Sequence, residues 1–460
     1  MSEIVLLDTG SDFDNIKCIS IPFDDHLPEY FAISYRWGVH AEWKARTPNY
    51  MASITSISQG NLIKLCTYYR SRIRYLWIDV VCINQADKNH RKMAIKVMDD
   101  IYRRAKRIIA VPDLCYCDKN PLMKDITKED IEAAVIGMGM RYFLLKYEPR
   151  IIDTLFDWHE PGTYPGFRLE ICELVNRTES LDDKHKYTFW TFDDYTRAKV
   201  QVGNTEKGWA FIERVITEWA ERAWVISERT IGTKDKKLLI HILRANAVFY
   251  WKVLGELAWE IQFQSHAIFD AIIKSKSTKF IDRLFAVLPH TKYKDAKQRL
   301  IDEEIGIDSE DDLKWLLFEI LDMDGRVELF NYLIQQHGKF YFELPFSLKK
   351  NEFRFEILKG DYEALLALII EPIMMQDGKR ALKVTCPFVH PCNQDLGDDF
   401  QPSDTEGNSD LILFYGYYEA SKNYIGYRYL KLNGVWRLNG SICIEHAPHI
   451  WKHGEFLMYL

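Results

Sequence analysis

The chain has 460 residues, of which 47% are hydrophobic, 14% aromatic and 28% charged, and its formal net charge is -7. This composition excludes a disordered or fibrous protein, and the length exceeds what one ordinary hydrophobic core organises. The acidic balance argues against nucleic acid as a partner, because phosphate neutralisation needs a basic surface.

The first residues, MSEIVLLDTGSDFD, lack a basic n-region and meet acids early, so they read as neither a secretory signal nor a transit peptide. Residues 29 to 35, EYFAISY, predict a short buried strand that ends in a turn at Arg36–Gly38, with Ser34 and Trp37 at its exit. A helix is expected over Asn61–Ser71 and a second strand over Tyr75–Val80. The β-α-β order implies parallel strands. The second strand runs into Asp79, Cys82, Asn84 and Gln85, polar side chains that either satisfy one another and the loop or line a pocket at the strand's carboxyl edge.

Ile95, Met98, Ile101, Tyr102, Ala105 and Ile108 then recur at helical spacing. Asp87 suits the N-cap of that helix, and Arg103, Arg104, Lys106 and Arg107 complement the dipole at its far end, which explains the basic run without a phosphate ligand. Ile108–Val111 predicts a third strand. Residues 113–205, with a helical piece near Lys128–Met140, read as an insertion over the sheet. Helices are expected at Lys207–Ala220 and from Trp224 to about Thr230, followed by a helix-rich stretch from Lys237 to about Gln336. The apolar run Ala364–Ile370 stops at Glu371 and Pro372, well short of the ~20 residues that a membrane helix needs. Residues 393–410 carry six acids and read as a linker. Beyond them, aromatic and polar residues alternate around Asn433-Gly434 and Asn439-Gly440, two pairs that signal tight hairpins in an antiparallel sheet.

Several chemistries are weighed by residue type. Cys82 as a nucleophile requires a base such as His40 or His90. Cys386, His390 and Cys392, with His446, His449 and His453, match no standard zinc spacing, and Pro387 and Pro391 suggest a turn there, so no metal site is assigned. A phosphate loop is absent, and Gly137-Met138-Gly139 lacks the third glycine of a dinucleotide fingerprint. The nine cysteines, odd in number and scattered, suit a reducing compartment and a cytoplasmic protein with no membrane span.

Three blocks in fixed order, YFAISYRWG (30–38), YLWIDVVCINQADKNHRKMAIKVMDDIYRRA (75–105) and WAERAWVISE (219–228), resemble the HET domain, the heterokaryon incompatibility domain of filamentous fungi. FIDRLFAVLP at 280–289 resembles the stretch that follows that domain. The resemblance implies non-self recognition and regulated cell death of the innate-immunity kind. It also implies a distant relation to TIR domains, with a flavodoxin-like parallel sheet and, in some members, hydrolysis of NAD. Trp224 and Glu228 have the four-residue spacing of the TIR catalytic motif. This chain departs from the HET pattern at His90, Ala94 and Ser227, where the pattern has Glu, Gln and Gln.

The expected fold is therefore α/β. A TIR-like parallel sheet with helical insertions spans 1–250, a helix-rich region 251–392, the acidic linker 393–410, and a small antiparallel β region 411–460. The implied activity is cleavage of the N-glycosidic bond of NAD or a related nucleotide, as substrate rather than cofactor, with Glu228 as the catalytic carboxylate. Ser34, Trp37, Gly38, Asp79, Cys82, Gln85 and Trp224 are the candidate binding residues, and Trp37, Trp77 or Trp224 is the candidate platform for a pyridinium ring. Homo-oligomerisation is the expected switch, with an upstream sensor as a further partner. The alternative is a non-enzymatic assembly module of the same fold.

Overall fold

The computed structural model describes residues 3–12, 15–116, 121–131, 134, 206–250, 266–337, 341–343, 352–353, 368–389, 410–418, 423–432, 435–444 and 451–459. The chain divides into two compact units, Met1–Gln262 with Lys274–Ile305, and Phe263–Ile273 with Gly306–Leu460.

The first unit opens with β1 (Glu3–Asp8), β2 (Cys18–Pro22), β3 (Tyr30–Tyr35), and the hairpin of β4 (Trp43–Arg46) and β5 (Met51–Ile54). Then come α1 (Gln59–Tyr69), β6 (Tyr75–Trp77), the single turn α2 (Asp79–Cys82), α3 (Lys88–Arg104) and β7 (Arg107–Val111). After α4 (Pro121–Lys124) the described elements continue with α5 (Glu206–Ala220), α6 (Ala223–Lys234), β8 (Leu238–Ile242) and β9 (Ala247–Tyr250). Chain order goes on with α7 (His266–Lys274), α8 (Phe280–Val287), a 3-10 turn at Leu288–His290 and α9 (Lys294–Asp302).

Seven strands form one sheet in the order β2-β1-β6-β3-β7-β8-β9. The four central strands β6, β3, β7 and β8 are parallel, while β1, β2 and β9 join antiparallel at the edges, so the sheet is mixed rather than wholly parallel. All six residues of β3 are buried, as expected of a central strand covered on both faces. Its alternation sends Phe31 onto Tyr69 of α1, with ring centroids 5.8 Å apart, and Tyr30 to the opposite face, where its hydroxyl donates to the Ile101 carbonyl of α3 at 2.6 Å. The winding reverses between β3 and β7, and the carboxyl ends that flank such a point are where α/β sheets bind ligands.

Asp87 caps α3 as the sequence predicts, accepting from the Asn89 and His90 amides at 2.8 and 3.2 Å. The second strand is shorter than expected. The expected strand runs to Val80, yet the Asp79 carboxylate accepts the Val80 amide at 2.7 Å, and the amides of Cys82 and Ile83 return to the carbonyls of Ile78 and Asp79, closing a helical turn. The stretch from Lys237 also differs. LLIHI pairs with β7 as a strand and turns back through Asn246, whose φ is +53°, into β9. A short apolar run fits a buried strand and a buried helix equally well by periodicity.

The described part of the second unit contains α7 up to Ile273, α10 (Glu310–Ile320) and α11 (Met323–His337), then β10 (Tyr341–Glu343), β11 (Glu352–Phe353), β12 (Ile369–Met374) and β13 (Arg380–Val389). It ends with β14 (Asp410–Tyr418), β15 (Asn423–Leu432), β16 (Val435–Ile444) and β17 (Trp451–Met458). These strands form an antiparallel sheet in the order β10-β16-β15-β14-β13-β17-β11, with β12 on β13. It therefore begins upstream of residue 411. Asn433-Gly434 falls between β15 and β16, whereas Asn439-Gly440 lies within β16, beside a register shift at Arg428/Tyr429, and makes no hairpin. Residues 393–409, residues 135–140 of the predicted helical piece, and with them Gly137-Met138-Gly139, lie outside the described residues.

Candidate functional site

Ser34, near the end of β3, points to the same face as Tyr30 and reaches α6. Its hydroxyl donates to Oε2 of Glu228, the Tyr102 hydroxyl of α3 donates to Oε1 at 2.8 Å, and the Trp219 indole N–H of α5 donates to Ser34 Oγ at 2.8 Å. Two hydroxyls thus converge on one buried carboxyl, and an indole fixes the first of them from behind. Burial pushes the Glu228 pKa up to about 7, against the Ser34 and Tyr102 hydroxyls and the Arg222 guanidinium, which pull it down; the charge of Asp79 adds to the rise. Glu228 is therefore poised to change charge near neutrality.

A second carboxylate lies at the exit of β6. Asp79 accepts from the Tyr35 hydroxyl at 2.7 Å and the Trp37 indole N–H at 3.0 Å, and burial raises its pKa above the usual carboxylate range. Arg222 donates to the Tyr35 carbonyl, and its charge acts on both Asp79 and Glu228. The Gln85 side-chain amide donates to the Asp79 carbonyl at 3.2 Å, so Gln85 caps the α2 turn.

The structure thus joins Ser34 to Glu228, and Trp37 and Gln85 to Asp79. Gly38 sits where a Cβ would stand 2.7 Å from the Cys115 carbonyl oxygen, an approach that only glycine tolerates. Cys82 is fully buried, accepts the Ile78 amide at 3.4 Å, and has its thiol pKa pushed well up by burial. His40 bonds the Cys115 carbonyl at 2.8 Å and His90 Nδ1 accepts the Asn84 amide at 3.2 Å, so neither histidine pairs with Cys82 and no thiol–imidazole couple forms. Trp224 is half-buried and acts on the Asp282 carboxyl, whose pKa burial raises and Trp224 pulls down. A cavity of about 360 Å³ lies elsewhere, lined by Glu3, Tyr50, Asn84, Asp87 and His90 among others; none of Ser34, Asp79 and Glu228 lines it.

Tyr35, Tyr102, Trp219 and Arg222 escaped the sequence reading. Tyr102 sits in the apolar stripe of α3 and reads as core, and Trp219 does so on α5; their polar tips are the only sign of another role. One residue before Glu228, Ser227 donates to Asp99 Oδ1 of α3 at 2.7 Å and accepts from His290 Nε2 at 2.8 Å, while Lys297 pairs with the other Asp99 oxygen at 2.6 Å. Among the described residues no group of three or more His, Cys, Asp or Glu is placed to hold a metal ion, and His390, Cys392, His446 and His449 lie outside them. Among the same residues no helix is long and apolar enough to cross a membrane.

Residues 30–136 match the family model described as Heterokaryon incompatibility protein (HET). A Neurospora crassa protein named "Heterokaryon incompatibility protein 6, OR allele" is 27% identical over 216 residues, which cover 44% of this chain and 27% of that protein. The match therefore spans about a quarter of the relative's length. No solved structure matches the chain.

Proposed function

From the HET domain at residues 30–136 as premise, we propose that this protein acts in heterokaryon-incompatibility-type non-self recognition and cell death, and that it hydrolyses the N-glycosidic bond of NAD or a related nucleotide at Glu228. The observation that carries the proposal is the Glu228 carboxyl, poised near neutrality and fixed by Ser34 and Tyr102 at the carboxyl edge of a parallel sheet. The order of the parallel strands, 2-1-3-4 along the chain, agrees with a flavodoxin-like and hence TIR-like reading.

In the reaction, the bond between ribose C1′ and the ring nitrogen breaks and its electron pair neutralises the pyridinium, which leaves as nicotinamide. Water adds to C1′ and one proton goes to solvent. The Glu228 carboxylate stabilises the positive charge that develops on the ribose, so the ionised form is the active one and the rate rises with pH through about 7. Clustering of several copies in the cytoplasm, driven by an upstream sensor, would be the switch.

Both oxygens of Glu228 already accept hydroxyls from within the chain, and the residue is only 8% exposed, which favours a second reading. In that reading Glu228 locks α6 to the sheet of a non-enzymatic assembly module. Nicotinamide release from NAD by concentrated or artificially clustered protein separates the two. Release that Glu228→Gln and Glu228→Ala abolish while circular dichroism stays unchanged supports the enzyme; no release from clustered wild-type protein supports the module.

A further inference from the structure

Of the three tryptophans that the sequence offers as ring platforms, Trp77 is fully buried with its ring edge-on to Tyr102 at 5.4 Å, which disqualifies it, and Trp224 is half-buried. Trp37 is 44% exposed, yet it is held firmly. Its indole N–H is committed to Asp79 Oδ2 at 3.0 Å, which orients the ring. On one flank, Arg36 bonds the Tyr116 hydroxyl at 3.0 Å and pairs with Glu218. On the other, the Gly38 amide donates to the Ser56 carbonyl and the His40 amide to the Thr55 carbonyl, both at 2.8 Å. A single exposed aromatic is common by itself. An exposed indole whose neighbours and N–H are all fixed, standing between the exits of β3 and β6, is preorganised surface.

We propose that Trp37 is the stacking platform for the pyridinium ring of the substrate, and that Asp79 is the positioning residue that fixes the indole; the inference rests on the nucleotide-cleaving reading and names the part of the substrate it selects. The face of an indole attracts a planar cation. The site therefore distinguishes the oxidised dinucleotide, whose ring is flat and positive, from the reduced one, whose ring is neutral and puckered. Asp79 sets the ring's angle without touching the substrate.

The test measures equilibrium binding by calorimetry in the Glu228→Gln background, where turnover is blocked, with NAD and NADH as probes. NAD is expected to bind more tightly than NADH. Trp37→Ala should weaken NAD binding by about tenfold and erase the preference, with Trp37→Phe intermediate. Asp79→Ala should imitate Trp37→Ala, whereas Asp79→Asn, whose side-chain oxygen still accepts the indole N–H, should restore binding. If Glu228→Gln folds poorly, KM for NAD in otherwise wild-type protein gives the same comparison. Nicotinamide release with KM unchanged in Trp37→Ala overturns this inference and leaves the enzyme reading standing. Absence of both release and binding overturns the two together.

Discussion

Among the described residues the two units bury different chemistry. The first holds Ser34, Ser227, Glu228, Arg229, His241 and Lys297 among its buried side chains, whereas the second has Lys314 as its buried charged residue, within a core that includes Phe388, Phe456, Trp436, Tyr427 and Tyr429. Lys314 merely reaches outward to Glu310 and Asp311 on the surface of its own helix. A buried polar group lowers stability unless it is paired, so a unit that collects them in hydrogen-bonded clusters is specifying something other than stability alone. Two clusters meet α6 at adjacent residues, Glu228 with Ser34 and Tyr102, and Ser227 with Asp99 and His290, where Lys297 also pairs with Asp99.

The most severe test of that contrast lies in the second unit. Phe388→Ala removes half of an edge-to-face pair with Phe456 at 5.4 Å and should destabilise this unit by ~3–5 kcal/mol in urea titrations. A loss under about 1 kcal/mol would mean that the aromatic core is not what holds the sheet. In the first unit, Lys297→Met strands the Asp99 carboxylate and should lower stability by ~3 kcal/mol, with Asp99→Asn added to it recovering most of the loss. A double variant as unstable as the single one would show that charge is not the cause.

The Glu228 carboxyl makes the next largest effect, through pH. Its folded pKa is raised to about 7 from 4.5, so between these values the folded chain holds a proton that the unfolded chain has released. Stability from this group is full below about pH 4.5 and falls by ~3 kcal/mol as pH rises through about 7. The unfolding free energy of wild type minus that of Glu228→Gln should therefore decline from about pH 5 to about pH 8, and a flat difference would refute the buried shift. Smallest is Tyr102→Phe, which deletes one donor to the carboxylate. It should lower stability by ~1–2 kcal/mol and move the Glu228 midpoint upward, which the pH profile of nicotinamide release would report.

Much of this arrangement was legible in the sequence because parallel strands deliver their exits to one edge. EYFAISYRWG placed Ser34 and Trp37 there, and YLWID placed Asp79, by strand length and alternation alone. The capping of α3 by Asp87 and its basic last turn followed from residue type. What escaped depends on contacts distant in the chain. Nothing local in DVVC distinguishes a strand from a turn closed by Asp79, and LLIHI joins β7 only because that strand waits beside it. Tyr102 and Trp219 look apolar by periodicity, and only the folded chain aims their polar tips at Glu228 and Ser34.

The bond between Ser34 and Glu228 spans 194 residues, which sets a schedule for synthesis. At ~5–20 residues per second, Glu228 leaves the ribosome ~10–40 s after Ser34. Through that interval the nascent strand carries its serine hydroxyl, and later the Tyr102 hydroxyl, with water as their partner. The site thus cannot close before α6 has emerged. A chain cut short before α6 would release the sheet edge without Glu228, and Ser34 and Tyr102 would lack the carboxylate that accepts their hydroxyls.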